Sequence, residues 1–138
     1  MGFLVDTSIW IAVERGKLAV GDLHAITKQF PVFVSPVNIA ELTFGIALMD
    51  DVSKQLKAKS LVKRLSKKPL LKITAETGEV FGTIAAQLSR AGRGADFRVQ
   101  DLWLAAQAIQ RRFVLLTLNG KDFRDIPGLK FVIVRLPN

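Results

Sequence analysis

Five short apolar runs punctuate the chain, separated by longer stretches in which apolar residues recur at helical spacing. The runs are "FLV" at 3–5, "VFVS" at 32–35 between Pro31 and Pro36, "LLKI" at 70–73 after Pro69, "FVLLT" at 113–117 and "FVIV" at 131–134. Apolar runs without polar alternation suit strands buried on both faces of a parallel sheet. The intervening patterns predict helices over 8–14, 17–29, 36 to about 49, 51–67, 76–91 and 99–112. In the second of these, Leu18, Leu23 and Ile26 mark a buried side. Ser35 followed by Pro36 reads as an N-cap and first helical position. Strand and helix patterns that alternate in this way predict an α/β fold around a central, mainly parallel sheet of about five strands. No repeat, linker or shift of composition interrupts the 138 residues, so one domain over 1–138 is expected.

Composition narrows the chemistry. An apolar fraction of 49% supplies a packed core. Cysteine is absent, which excludes disulfides, a thiolate nucleophile and cysteine-ligated zinc. His24 is the only histidine, which excludes a two-histidine acid–base mechanism and a histidine-rich zinc site; its charged neighbours suit a solvated position. No signal-peptide pattern and no run of membrane-spanning length is present, so a soluble, cytoplasmic protein without membrane partners is expected. Twenty Lys and Arg against twelve Asp and Glu give a net charge of +8. That excess favours a polyanionic partner, nucleic acid first, with simple solubility as the competing account.

The acidic residues fall at telling places. Ligands of open parallel sheets collect beyond the carboxyl ends of the strands. Asp6 ends the first run, and "TLNGKDF" at 117–123 leaves the fourth, carrying Asn119 and Asp122. If those two strands are neighbours, these groups meet at one crevice. Glu41 lies about one and a half turns into the helix after the second run, and Asp101 near the start of the helix lined by Leu102, Ala105, Ala106 and Ile109. Each has an ordinary alternative. Asp6 could cap the helix near Ser8, Asp101 suits a first helical turn, and Asp122 could serve the Asn119-Gly120 turn. Together they are costly, because two unit charges about 5 Å apart repel by roughly 3 kcal/mol at an effective dielectric near 20. A divalent cation removes that cost, and oxygen-only ligation points to Mg²⁺ or Mn²⁺.

The stretches "LVDTSIWI" at 4–11, "SPVNIAELTFGI" at 35–46, "VQDLWLAAQAI" at 99–109 and "LLTLNGKDFRDIPGL" at 115–129 resemble, in order, those of PIN-domain proteins, and specifically the VapC-type ribonuclease toxins of toxin–antitoxin pairs. The resemblance implies an α/β/α sandwich and a Mg²⁺- or Mn²⁺-dependent endoribonuclease. It matches Asp6, Glu41 and Asp101 to the family's first three acidic positions. Asp122 is taken as the fourth catalytic and metal-binding acid, with Asn119, where some relatives carry an acid, as a supporting polar group. Thr7, Ser8 and Thr117 match small hydroxyl positions that bind or orient such a site. Water attacking in line would leave a 5′-phosphate and a 3′-hydroxyl. A PIN nuclease of RNA processing, and a non-catalytic RNA-binding PIN module, are the alternatives.

An RNA substrate needs cations around an acidic site. Between residues 53 and 75 there is no Asp or Glu, and Lys57, Arg64 and Lys68 fall at spacings compatible with one helix face. The segment "SRAGRGADFR" at 89–98 adds Arg90, Arg93 and Arg98, with Gly92 and Gly94 permitting close backbone approach. This segment is the nearer expected phosphate contact; the lysine-rich helix suits a solvated face or a partner interface equally well. The resemblance also implies a homodimer and a cognate antitoxin lying over the site. Trp10 is the expected exposed anchor for that partner.

Overall fold

The computed structural model describes residues 1–94 and 98–137. Its elements, in order, are β1 (Phe3–Val5), α1 (Thr7–Glu14), α2 (Val20–Thr27), β2 (Val32–Phe33), α3 (Pro36–Ala47), α4 (Val52–Leu65), α5 (Ala75–Arg90), α6 (Val99–Arg111), β3 (Val114–Thr117), a 3₁₀ turn (Gly120–Asp122) and β4 (Phe131–Ile133). All strand pairs are parallel, in the order β2-β1-β3-β4. β1 and β3 are therefore neighbours, the condition on which a shared crevice depended.

Among the described residues the sheet has four strands, not five. The run at 70–73 makes a single bridge, Leu70 to Val34. Val34 N–H donates to the Pro69 carbonyl and Leu71 N–H to the Val34 carbonyl. Pro69 offers no donor of its own, and Thr74 already caps α5, so the chain leaves the sheet edge after one pair. The helix expected over 17–29 is also shorter, ending where Lys28 takes a φ of 52°.

Alternating side chains divide the core into two layers. Phe3, Val5 and Leu116 pack with Ile9, Trp10, Leu23, Leu61 and Leu65 from α1, α2 and α4. Leu4 and Leu115 face the other way, onto Ile84 and Leu88 of α5 and Leu102 and Leu104 of α6. α3 gives Leu42 to the first cluster and Val37 to the second, wrapping the edge between them. The result is an α/β/α sandwich. Burying one such leucine contributes about 2 kcal/mol. β4 departs from the expectation of two buried faces, because it is an edge strand whose Val132 and Ile133 are each 41% exposed.

Three buried polar side chains hold the helices that carry the acids. Ser35 caps α3, accepting from Val37 N–H, and its hydroxyl donates to Gln107 Oε1 at 2.5 Å; Gln107 Nε2 donates to the Leu71 carbonyl at 2.7 Å. Asn38 Nδ2 donates to the Val5 carbonyl at 3.1 Å, and its Oδ1 accepts from Ser35 N–H. The start of α3 is thereby tied to both α6 and the tip of β1.

Candidate active site

Asp6 continues the ladder beyond β1, its N–H donating to the Leu116 carbonyl at 2.8 Å. It occupies the N-cap position of α1, yet its side chain makes no capping bond. Its Oδ2 instead accepts the Ser8 and Thr117 hydroxyls, each at 2.8 Å. Thr117 in turn accepts from Asn119 N–H at 3.0 Å, and Ser8 from Leu118 N–H at 3.4 Å. The tips of β1 and β3 are thus sewn together around one carboxylate, which is only 6% exposed. Capping does not account for Asp6.

Glu41 reaches the same edge from α3. The Thr7 hydroxyl donates to Glu41 Oε1 at 2.8 Å while accepting from Asn38 Nδ2 at 2.9 Å. Burial raises the Glu41 pKa, the Thr7 hydrogen bond opposes this, and the Asp6 charge adds to it. Asp101, in the first turn of α6, is pushed up to about 7. Burial is the largest cause, followed by the charges of Asp6, Asp122 and Glu41, with Arg98 opposing them. Each of the other three acids therefore acts on Asp101. Among the described residues, no three acidic or histidine side chains are gathered tightly enough to hold an ion as they stand. They face one another at Coulombic rather than ligand range. All the donors at this edge are oxygens, and His24 stands exposed on α2. Hard divalent cations such as Mg²⁺ and Mn²⁺ fit that donor set, and their charge would relieve the repulsion seen at Asp101.

The basic residues divide by role. Arg98 grips Asp125 with two bonds of 2.9 and 2.8 Å and donates also to the Asp122 carbonyl. At 18% exposure it is committed to the protein rather than presented to a phosphate. Arg93 stands 3.5 Å from Asp125 and is 57% exposed; Arg90 is exposed as well. Residues 95–97 of the expected phosphate-contact segment lie outside the described residues. The 3₁₀ turn carrying Asp122 needs Gly120, where a Cβ would come within 2.2 Å of Ile133 Cδ1.

Lys57, Arg64 and Lys68 do not share one helix face, because α4 ends at Leu65 and Lys68 lies beyond it. Lys57 is exposed, whereas Arg64, Lys67 and Lys68 edge an apolar groove of about 440 Å³ lined by Trp10, Leu23 and Leu61 among others. Trp10, expected as an exposed anchor, is 5% exposed because the first core layer closes over α1. Among the described residues its buried Nε1 has no hydrogen-bond partner, and Lys68 Nζ stands 5.8 Å above its ring. Sequence reasoning missed Asn38 and Asp125. Asn38 lies at the third position of α3, and nothing in its local sequence marks it as the donor to Thr7 and the Val5 carbonyl. Asp125 follows Asp122 by three residues, as Arg98 precedes Asp101 by three, a symmetry that becomes informative only once the two loops meet.

A sequence profile of the PIN domain matches residues 3–129. The chain is 34% identical to the Ribonuclease VapC of Rickettsia bellii (strain RML369-C), over 99% of this chain and 98% of that protein. It is 32% identical to the Ribonuclease VapC1 of Rickettsia felis (strain ATCC VR-1525 / URRWXCal2), over 97% of each. Among solved structures it is similar to VapBC2 from Rickettsia felis bound to a promoter DNA fragment, with a TM-score of 0.83 at 21% identity, covering 98% of this chain and 100% of that one. The DNA-bound VapBC from Salmonella typhimurium gives a TM-score of 0.80 at 21% identity, covering 96% and 98%. At those identities the structural likeness speaks for the fold, and the sequence matches speak for descent. Together they show that the chain belongs to the PIN-domain family and is similar over almost its whole length to the family's VapC members.

Proposed function

We propose that this chain is a divalent-metal-dependent endoribonuclease and the toxin half of a toxin–antitoxin pair. The observation that carries the reading is the electrostatic convergence of Asp6, Glu41 and Asp122 on Asp101, whose carboxyl is pushed up to about 7. A module that only bound RNA would be weakened by clustered negative charge facing a polyanion. The ribonuclease names of the sequence relatives support the same reading.

Asp6, Glu41, Asp101 and Asp122 would hold Mg²⁺ or Mn²⁺, with Asn119 beside them. Such an ion supplies a water of lowered pKa and charge stabilisation at the phosphate. The protein's part is to hold its ligands still. Ser8 and Thr117 fix the rotamer of Asp6, and Thr7, itself held by Asn38, fixes Glu41. Asp101, whose carboxyl burial and the other acids push up, is the group whose ionised form a bound cation would favour most. Attack by water leaves a 5′-phosphate and a 3′-hydroxyl, so a 2′,3′-cyclic phosphate among the products would contradict this chemistry.

The solved neighbours are complexes of VapC-like chains with VapB, and an antitoxin partner is proposed here by the same likeness. The apolar groove beside Trp10, whose buried indole N–H has no partner among the described residues, and its edge of Arg64, Lys67 and Lys68 support a seat for an apolar segment flanked by acidic residues. A homodimer is proposed on the resemblance alone. The decisive experiment is cleavage of total cellular RNA by purified protein with Mg²⁺, Mn²⁺ or EDTA, beside Asp6→Ala. Discrete fragments that need metal and vanish in the variant are expected. Cleavage that persists in Asp6→Ala would show the site to be wrongly assigned.

A further inference from the structure

A second charged feature adjoins the acidic edge. Leu88, Ala91, Arg93, Lys121, Arg124 and Asp125 line a concave pocket of about 590 Å³. Its cations come from two distant segments, the end of α5 and the turn after β3. Arg93 is set by the helix end, its N–H donating to the Leu88 carbonyl at 2.9 Å between Gly92 and Gly94, both at positive φ. Lys121 directly precedes Asp122, about 3.8 Å away between Cα atoms. The one acid in the wall, Asp125, is already gripped by Arg98 through two bonds. Among the described residues, Lys121 and Arg124 make no ion pair. With Asp125 already paired, the pocket presents an excess of positive charge, which attracts a counter-charge.

The pocket is also mechanically continuous with the acids. Asp125 in its wall contacts Arg98, and Arg98 holds the Asp122 carbonyl. Lys121, in the pocket wall, is the chain neighbour of Asp122, so the pocket adjoins one of the acids proposed to face the scissile phosphate. We infer that this pocket is a phosphate subsite for the RNA strand, in which Arg93, Lys121 and Arg124 hold a backbone phosphate next to the one being cleaved. The inference rests on the ribonuclease reading above and names how that site grips its substrate. It assigns substrate contact to Lys121 and Arg124, and not to Arg98, whose guanidinium is taken up by Asp125 and the Asp122 carbonyl.

The test measures fluorescence anisotropy of a labelled, short random-sequence RNA in EDTA across a salt series, with metal-dependent cleavage of the same RNA assayed separately. Lys121→Gln/Arg124→Gln should bind about five- to tenfold more weakly, with a log–log salt slope shallower by about 0.7, the share of one phosphate contact on a single strand. Lys121→Arg/Arg124→Lys should restore both, and the remote exposed pair Lys17→Gln/Lys59→Gln should change neither. An unchanged slope in Lys121→Gln/Arg124→Gln, beside a wild type that binds and cleaves, would overturn the subsite and leave the ribonuclease standing. An equal loss in the remote pair would overturn it too, as a net-charge effect. Displacement of the RNA by millimolar inorganic phosphate at constant ionic strength would make the pocket a small-anion site instead. A wild type that neither binds nor cleaves RNA would remove the subsite and the ribonuclease reading together.

Discussion

Asp101 and Asp125 lie at the same end of the molecule and both feel Arg98, yet they are tuned in opposite directions. Burial and three neighbouring carboxylates push Asp101 up to about 7, against a weak pull from Arg98. Arg98 bonds Asp125 directly and holds its carboxyl below the ordinary value, with Arg93 adding to the effect. One acid has its charge neutralised inside the protein. The other has its charge left for something outside to neutralise. Perturbation of the second kind marks a functional group, whereas perturbation of the first kind marks a strut.

The sharpest way to test that contrast is to replace each acid by its amide. Asp101→Asn removes a proposed metal ligand, and cleavage should fall about a thousandfold, the several kcal/mol a bound cation supplies at the transition state. The same change removes a repelled carboxylate, so the metal-free variant should melt above wild type at neutral pH. Asp125→Asn should behave the other way. It weakens charge-assisted bonds worth about 2 kcal/mol, lowering the melting temperature while metal-dependent cleavage stays measurable. Melting curves in EDTA beside cleavage rates decide it; an inactive, stabilised Asp125→Asn would invert the assignment.

The contrast also locates what could be read before the fold was known. Apolar runs are dense and one-dimensional, so β1, β2, β3 and β4 and all six helices stand close to their expected places. The run at 70–73 failed because its pattern records apolarity without the competing cap at Thr74. Strand-end acids were visible as Asp6 and Asp122, and the adjacency of β1 and β3 brought their tips together as the crevice required. Pairing between distant polar groups was not visible. Arg98 reads as one more cation until Asp125 is beside it, and Trp10 reads as an anchor until the core closes over it.

Arg98 joins the two halves of the comparison, and a smaller perturbation there should loosen both. Arg98→Lys keeps the charge but cannot span both Asp125 oxygens and the Asp122 carbonyl. Groups that orient metal ligands from behind typically cost 10- to 100-fold when altered, so cleavage and Mn²⁺ affinity should both fall by roughly tens-fold. A variant with normal Mn²⁺ affinity would show that the clamp does not reach Asp122.

The mildest probe is pH, and it addresses both aspartates at once. Asp101 is raised, so between its ordinary value of 3.8 and about 7 the folded protein binds a proton that the unfolded chain does not. Metal-free stability should therefore rise as pH falls from above 7 towards 4. Asp125 is depressed, so its contribution is complete above 3.8 and is lost as pH falls through its lowered native value. The two limbs place the stability optimum in EDTA on the acid side of neutrality, with Glu41, also raised, adding to the limb above it. Asp101→Asn should flatten the neutral limb and Asp125→Asn the acid limb. Metal reverses the first effect, because ligation needs the carboxylate; Mn²⁺ affinity should weaken by up to about tenfold per unit below 7 and level off above it. Calorimetry in two buffers of different ionisation enthalpy near pH 6 should count about one proton released per ion bound. No proton release, with the neutral limb intact in Asp101→Asn, would place the raised group elsewhere and dissolve the opposition between the two acids.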